Sequence, residues 1–303
     1  MQTVSVIVPN YNHALFLPRR LESILQQTVE VFEIIILDDA STDNSRDVIN
    51  SFVKKDPRIR TIFNNTNSGN PFRQWKKGIE NARGSMVWIA ESDDDASTDF
   101  LERSLKALEK NPDAGIAYCQ SHFIDREGEI IGNHALNLKH LHPTLWDNDF
   151  CLDGKELVRN YMPVMNIIPN ASAVVFKKDL CSHVQWEEVL RFNLAGDRYF
   201  WVSLLMHTQL CFLSKSMNYF RMSEDSVREH FKHTRIYLDE MIRMMEIINH
   251  WAGLPVKVKK RAIKQWQRHL RQTIRHKKGA GKLIFFIQSI PRFFRLFRFL
   301  ITR

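Results

Sequence analysis

The sequence predicts an α/β layer fold on a mainly parallel sheet, and three observations carry that expectation. Short apolar runs alternate with helix-patterned stretches from Val4 to Cys119. Runs such as Val4–Val8 and Ile34–Leu37 are almost wholly apolar, as strands covered on both faces are. Polar clusters at residues 9–12, 38–43 and 91–95 follow three of these runs, and ligands of such sheets sit beyond the carboxyl ends of the strands.

Taken in order, Val4–Val8 reads as the first strand, broken at Pro9-Asn10-Tyr11-Asn12. Leu17, Leu21, Ile24 and Leu25 recur at helical spacing, with Pro18 in the first turn. Ile34–Leu37 is the second strand, stopped by Asp38-Asp39-Ala40-Ser41-Thr42-Asp43, and a helix with Val48, Ile49, Phe52 and Val53 inward follows. Arg60–Phe63 is a weaker strand, 64–70 a polar loop, and Phe72–Ala82 a third helix. Val87–Ala90 is a buried strand, then come a helix over 99–109 and a strand at Gly115–Cys119. Residues 123–169 read as irregular, and their His134, His140 and His142 lack metal-ligand spacing. Ala171–Phe176 reads as a strand, and an apolar helix runs on from Asp197.

Composition sets the class. The 303 residues are 44% hydrophobic and 25% charged, ordinary for a soluble globular chain with room for a large core. Cys119, Cys151, Cys181 and Cys211 stand singly, and no export signal is read at the start, so reduced cysteines in a cytoplasm are expected. The net charge of +9 is uneven: fifteen Lys and Arg lie between Lys257 and Arg303, and no acid follows Glu246. A mildly acidic body, residues 1–225, and a basic helical extension, residues 226–303, are therefore expected.

Glu91, Asp93, Asp94 and Asp95 crowd four carboxylates into five positions at a strand's end. Like charges so close raise one another's pKa unless something cationic sits among them. A solvated turn ahead of a helix is one account, with Thr98 or Asp99 as cap. A hard divalent cation, Mg²⁺ or Mn²⁺, held with a substrate phosphate is the other. Asp197, at the start of an apolar helix, is either an N-cap or a separate functional carboxylate.

Four segments together resemble a known family: Val-Ser-Val-Ile-Val-Pro-Asn-Tyr-Asn at 4–12, Asp-Asp-Ala-Ser-Thr-Asp at 38–43, Ala-Arg-Gly-Ser-Met-Val-Trp-Ile-Ala-Glu-Ser-Asp-Asp at 82–94 and Gly-Asp-Arg-Tyr-Phe-Trp at 196–201. In order and spacing they resemble the family-2 inverting glycosyltransferases of GT-A fold, over residues 3 to 225. The resemblance implies that Pro9 and Tyr11 border a nucleobase and that Asp39 hydrogen-bonds it. It implies Asp93 on the ribose, Asp94 on a divalent cation and Asp197 as catalytic base. Two departures stand out. Trp75 and Lys76 occupy places where the family often has an Arg-Asn pair, leaving Arg73 as the substitute. Asp95 adds a third aspartate, so either Asp94 or Asp95 can be the metal ligand beside Asp93.

The chemistry needs these residue types: a cation for the departing diphosphate, and a carboxylate to take the proton of the attacking hydroxyl. The expected function is a metal-dependent transfer of sugar from a nucleotide-sugar donor, a UDP-sugar by default, to a glycan or lipid-linked glycan of the cell surface. A catalytically silent sugar-nucleotide or glycan binder on the same fold is the competing class, separable by donor hydrolysis. For the tail, the apolar run is short of the ~20 residues a span needs. Phe, Ile and Leu between Arg292, Arg295 and Arg298 favour an interfacial helix, arginines on anionic headgroups of the inner membrane face, over nucleic-acid binding. Packing on the body or on a partner chain is the third possibility.

Overall fold

The computed structural model describes residues 2–223, 231–279 and 281–301. Among these, ten strands form one sheet: β1 (Val4–Asn10), β2 (Glu33–Asp38), β3 (Ile59–Phe63), β4 (Met86–Ile89), β5 (Asp95–Ala96), β6 (Ala114–Ile124), β7 (Ile130–Asn133), β8 (Phe150–Asp153), β9 (Val174–Lys177) and β10 (Gln209–Arg221). The order is β3-β2-β1-β4-β9-β6-β10-β5, with β7 on β6 and β8 on β10. β3, β2, β1 and β4 are mutually parallel, β9 runs antiparallel between β4 and β6, and β6 pairs parallel with β10. β1 and β2 are buried along their whole length, which is why they read as unbroken apolar runs.

Helices α1 (Leu17–Leu25), α2 (Ser45–Val53), α3 (Pro71–Asn81) and α4 (Phe100–Lys110) connect the first strands, α3 and α4 each within one residue of the expected bounds. Two readings need correction. Residues 171–173 form a 3₁₀ turn and the strand begins at Val174, because the Asn170 side chain accepts the Ser172 N–H and turns the chain there. The stretch 123–169 is not irregular: it holds β7, β8, α5 (Ala135–Lys139) and α6 (Gly154–Asn160). β8 lies on β10, a strand whose Ser214, Lys215 and Ser216 interrupt its apolar pattern.

After α7 (Trp186–Leu190) comes α8 (Gly196–Leu205), buried on nearly every side apart from Asp197. α9 (Arg235–Ala252) ends on Gly253, whose φ of 61° suits glycine, and α10 (Val256–His276) and α11 (Gly281–Ile301) follow. Leu238, Ile242, Met245 and Ile248 of α9 and Trp266 of α10 belong to the same continuous core as the sheet.

α11 differs from the expected interfacial helix in one respect. Arg292 pairs with Asp239 at 2.5 Å and Arg295 Nε with Glu246 at 2.6 Å, so these two arginines face α9 rather than headgroups. Asp239 and Glu246 are seven residues apart on α9, hence on one face. The outward face is apolar: Leu283, Ile287, Ile290, Phe294, Phe297 and Ile301 are all exposed. Among the described residues no helix is long and apolar enough to cross a membrane.

Candidate active site

The ends of β1 and β2 are laced together. Asn10 Nδ2 donates to Asp38 Oδ1 at 2.9 Å and Asn12 Oδ1 accepts the Thr42 N–H at 2.8 Å, with Asn12 itself at φ 56°. Buried Asp38 also accepts the Ser41 N–H, so it holds the turn. Asp39 faces the other way. Its carboxylate accepts Asn64 Nδ2 at 2.6 Å, Ser68 N and Oγ at 3.0 and 2.7 Å, and Gln74 Nε2 at 2.9 Å, drawing the 64–70 loop and the start of α3 against β2. Pro9 is buried in β1 opposite Leu37, and Tyr11 just beyond it is 44% exposed. Arg73 points out from α3; the α3 side chains that reach this corner are Gln74 and Lys77, whose Nζ donates to Asn64 Oδ1 at 2.6 Å.

In the acidic loop the fold itself supplies cations. Arg20 of α1 is wholly buried, 5.0 Å above the Trp88 ring, and its charge opposes those of Asp94, Asp95, Asp93 and Glu91. Arg19 pairs with Asp95 at 2.5 Å. Arg221, at the end of β10, donates its N–H to Asp94 Oδ1 at 2.9 Å and its Nε to the Asp93 carbonyl at 2.7 Å. Asp94 Oδ2 further accepts Asn170 Nδ2 at 2.7 Å and Ser172 Oγ at 2.6 Å. Burial, then the neighbouring Asp93 charge, still pushes Glu91 up to about 8 and raises Asp94 as well. Glu91 accepts the Trp75 indole N–H at 2.8 Å, which accounts for an aromatic residue at that α3 position. Among the described residues the Asp93 carboxylate, half-exposed, has no hydrogen-bond or ion-pair partner.

Asp197 lies in the first turn of α8. Asn166 Nδ2 donates to its Oδ2 at 2.9 Å and the Arg198 N–H to its Oδ1 at 2.6 Å. One short segment therefore serves both carboxylate sites: Asn166 holds Asp197, while Asn170 and Ser172 hold Asp94. A second tie is aromatic, with Trp75 packed edge-on against Phe200 of α8 and tilted against Trp201. Burial draws the neighbouring Arg198 guanidinium down to about 10.

The residues that sequence reasoning missed are the supports: Arg19, Arg20, Asn166, Asn170, Ser172, Gln74 and Arg221. Asn170-Ala171-Ser172, an Asn two before a Ser ahead of a strand, was the one local signal available, since that spacing favours an Asn-closed turn. The acidic residues that Arg20 and Arg221 meet are 70 or more positions away in sequence and leave no local mark.

The sequence model of glycosyl transferase family 2 matches residues 5–157, which include Asp39 and the acidic loop but not Asp197. Over 105 residues the chain is 38% identical to TuaG of Bacillus subtilis, a glycosyltransferase named provisionally for teichuronic acid biosynthesis; the match covers 35% of this chain and 41% of that one. The matched stretch spans 44%, 38% and 41% of the lengths of three curated bacterial relatives, TuaG among them. TarS of S. aureus in complex with UDP-GlcNAc gives a TM-score of 0.69 at 16% identity, over 97% of this chain and 81% of that one. The mannosyltransferase PcManGT of Pyrobaculum calidifontis, in complex with GDP-Man and Mn²⁺, gives 0.58 at 13% identity, over 99% and 85%. At such identities the two structures speak for the shared fold, α/β of GT-A type with added C-terminal helices.

Proposed function

The chain belongs to glycosyl transferase family 2, and we propose that it is a metal-dependent, inverting glycosyltransferase acting in cell-surface polysaccharide synthesis. Its donor is a nucleotide-diphosphate sugar, a UDP-sugar by default, and its acceptor a hydroxyl of a glycan or lipid-linked glycan. The observation that carries this reading is the 166–172 segment, which hydrogen-bonds Asp197 at one end and Asp94 at the other. A separate base and a diphosphate-side carboxylate are what a displacement at an anomeric carbon needs, one on each face of the sugar.

Each residue takes a part. Tyr11 and Pro9 border the base at the β1 end, with Asp39 fixing the loop and helix that close that corner. Asp93, whose carboxylate has no partner among the described residues, would hold a divalent cation at the donor diphosphate; Asp94, buried and bonded to Asn170, Ser172 and Arg221, would join it only by giving up one of those bonds. Asp95 would join them only by leaving Arg19. No three His, Cys, Asp or Glu side chains gather into a cage among the described residues, yet this suits Mg²⁺ or Mn²⁺, which takes one or two carboxylates and completes its shell with water and substrate phosphate. When bound, such an ion acts as a Lewis acid toward the departing diphosphate. The Mn²⁺ of PcManGT and the UDP-GlcNAc of TarS support this class of ligand. Asp197, held by Asn166 and the Arg198 N–H, accepts the proton of the acceptor hydroxyl as it attacks the face opposite the diphosphate.

The apolar face of α11 beside the lysine- and arginine-rich α10 supports a position on the anionic inner surface of the cell membrane, where a lipid-linked acceptor would lie. Nucleic acid fits that face poorly, because its outermost groups are Phe, Leu and Ile. The test of the function is Asp197→Asn. Transfer should fall about 10²–10⁴-fold while calorimetric affinity for the nucleotide sugar stays unchanged. Normal turnover in that variant would remove Asp197 from the mechanism.

A further inference from the structure

The loop that presents Asp197 is gripped by a residue far beyond the stretch matched to the family. Glu240, in the second turn of α9, is 7% exposed, and its carboxylate is fully engaged with residues 193–195. Oε1 accepts the Asn193 N–H at 2.7 Å and Asn193 Nδ2 at 3.0 Å; Oε2 accepts the Leu194 N–H at 2.9 Å and the Ala195 N–H at 2.9 Å. Ala195 is the N-cap of α8 and has no side chain able to cap it, and its N–H, with those of the two residues before it, is held by this carboxylate brought from elsewhere. A negative group at that end also meets the positive end of the helix dipole.

The next residue removes the remaining slack. A Cβ on Gly196 would stand 2.4 Å from Phe72 Cε2, so the chain is pressed onto α3 directly after the clamp. Asp197 follows at once. Its position is thus set between a four-bond clamp from α9 and an aromatic wall from α3, with Asn166 orienting the carboxylate itself.

We propose that Glu240 is a positioning residue for the transfer reaction, through which α9 sets the placement of Asp197. The proposal rests on the reading of Asp197 as the base. Glu240 does not touch the reacting atoms; its charge is consumed by backbone N–H groups, and a misplacement of the base by about 1 Å can cost as much as 10²-fold in rate. Three observations about α9 fit the role: it belongs to the continuous core, its Asp239 and Glu246 hold α11, and its Glu240 holds the α8 start.

The experiment compares Glu240→Gln, Asp197→Asn and the double variant in the full chain. Glutamine has the same size but can accept at only one terminal atom, and its Nε2 would confront N–H donors. In Glu240→Gln, kcat should fall tenfold or more while KM and calorimetric affinity for the nucleotide sugar stay within twofold. Amide hydrogen exchange at residues 193–196 should quicken. The double variant should be no slower than Asp197→Asn alone, because the clamp acts only through Asp197. Wild-type kcat in Glu240→Gln beside an inactive Asp197→Asn overturns the clamp and leaves the base in place. A multiplicative loss in the double variant, or a loss of donor affinity matching the loss of rate, also overturns it. Full activity in Asp197→Asn overturns the base assignment instead. Should Glu240→Gln fail to fold, Asn193→Ala removes one of the four bonds; kcat should then fall about threefold at unchanged donor KM, and an unaltered kcat overturns the proposal.

Discussion

The acidic loop at 91–95 and the arginine-rich helix at 281–301 pose the same problem in sequence, a crowd of like charges, and the fold answers each with opposite charge of its own. Arg19, Arg20 and Arg221 converge on the carboxylates; Asp239 and Glu246 meet the arginines. The answers differ in depth. Arg20 is wholly buried, whereas the partners of Arg292 and Arg295 lie on the surface of α9 with side chains 45% and 35% exposed. What remains after the pairing also differs: a single half-exposed carboxylate, Asp93, in one case and an apolar stripe in the other. A charge run therefore identifies its ligand only after its internal partners have been subtracted.

The largest expected effect breaks the buried side of that comparison. Arg20→Leu should cost about 3–5 kcal/mol of unfolding free energy in urea, the penalty for leaving buried carboxylates without their cation. A loss below about 1 kcal/mol would mean that Arg20 does not balance the loop. Next comes the apolar stripe. Phe294→Asp should weaken binding to vesicles containing anionic phospholipid by roughly ten- to a hundredfold, the equivalent of about 1.5–3 kcal/mol for one buried aromatic side chain, with the melting temperature unchanged. Equal vesicle binding by the variant would remove this face as the membrane contact.

Acid and base should then pull the acidic loop and α10, the helix that precedes α11, in opposite directions. Glu91 is raised to about 8 in the folded protein, so its contribution is present below its unfolded value near 4.5 and is lost as pH rises toward 8. His269 of α10 is lowered to about 4 by burial and by Arg268, so its contribution is present above its unfolded value near 6.5 and is lost as pH falls toward 4. In metal-free buffer, Glu91→Gln should flatten the alkaline limb of the stability curve and His269→Gln the acid limb, each by at most about 1.4 kcal/mol per pH unit. A curve whose two limbs ignore both substitutions would refute the assignment. The smallest effect is Arg295→Ala, expected within about 0–1 kcal/mol in the same denaturation assay because both side chains of its pair with Glu246 are well solvated; a loss on the Arg20 scale would erase the distinction between the regions.

Much of the first half was legible because its signals are local. Runs such as Val4–Val8 and Ile34–Leu37 are buried on both faces and so cannot alternate, and Pro18 sits where a helix begins. The carboxylates Asp39, Asp93, Asp94 and Asp197 were visible because strand ends and helix starts have sequence marks. The second half was less legible. β10 is interrupted by Ser214, Lys215 and Ser216, of which Ser214 bonds Asp149 and Lys215 pairs with Asp99, and its pairing with β6 shifts register there. The metal register was equally out of reach, because Asp94 and Asp95 are neighbours in sequence and differ only in what meets them.

By itself the sequence determined the layered sheet, the strand ends at which polar groups gather and the basic character of the extension, since periodicity and composition act over a few residues. The tertiary structure alone decided which carboxylates are already spent. Asp94 is held by Asn170, Ser172 and Arg221, Asp95 by Arg19, and the approach to Asp197 by Glu240. Apart from Asp94 and Asp95 themselves, every residue in those ties is more than 40 positions from the one it holds. Contacts across such distances depend on how the elements pack, and no local pattern of residues encodes them.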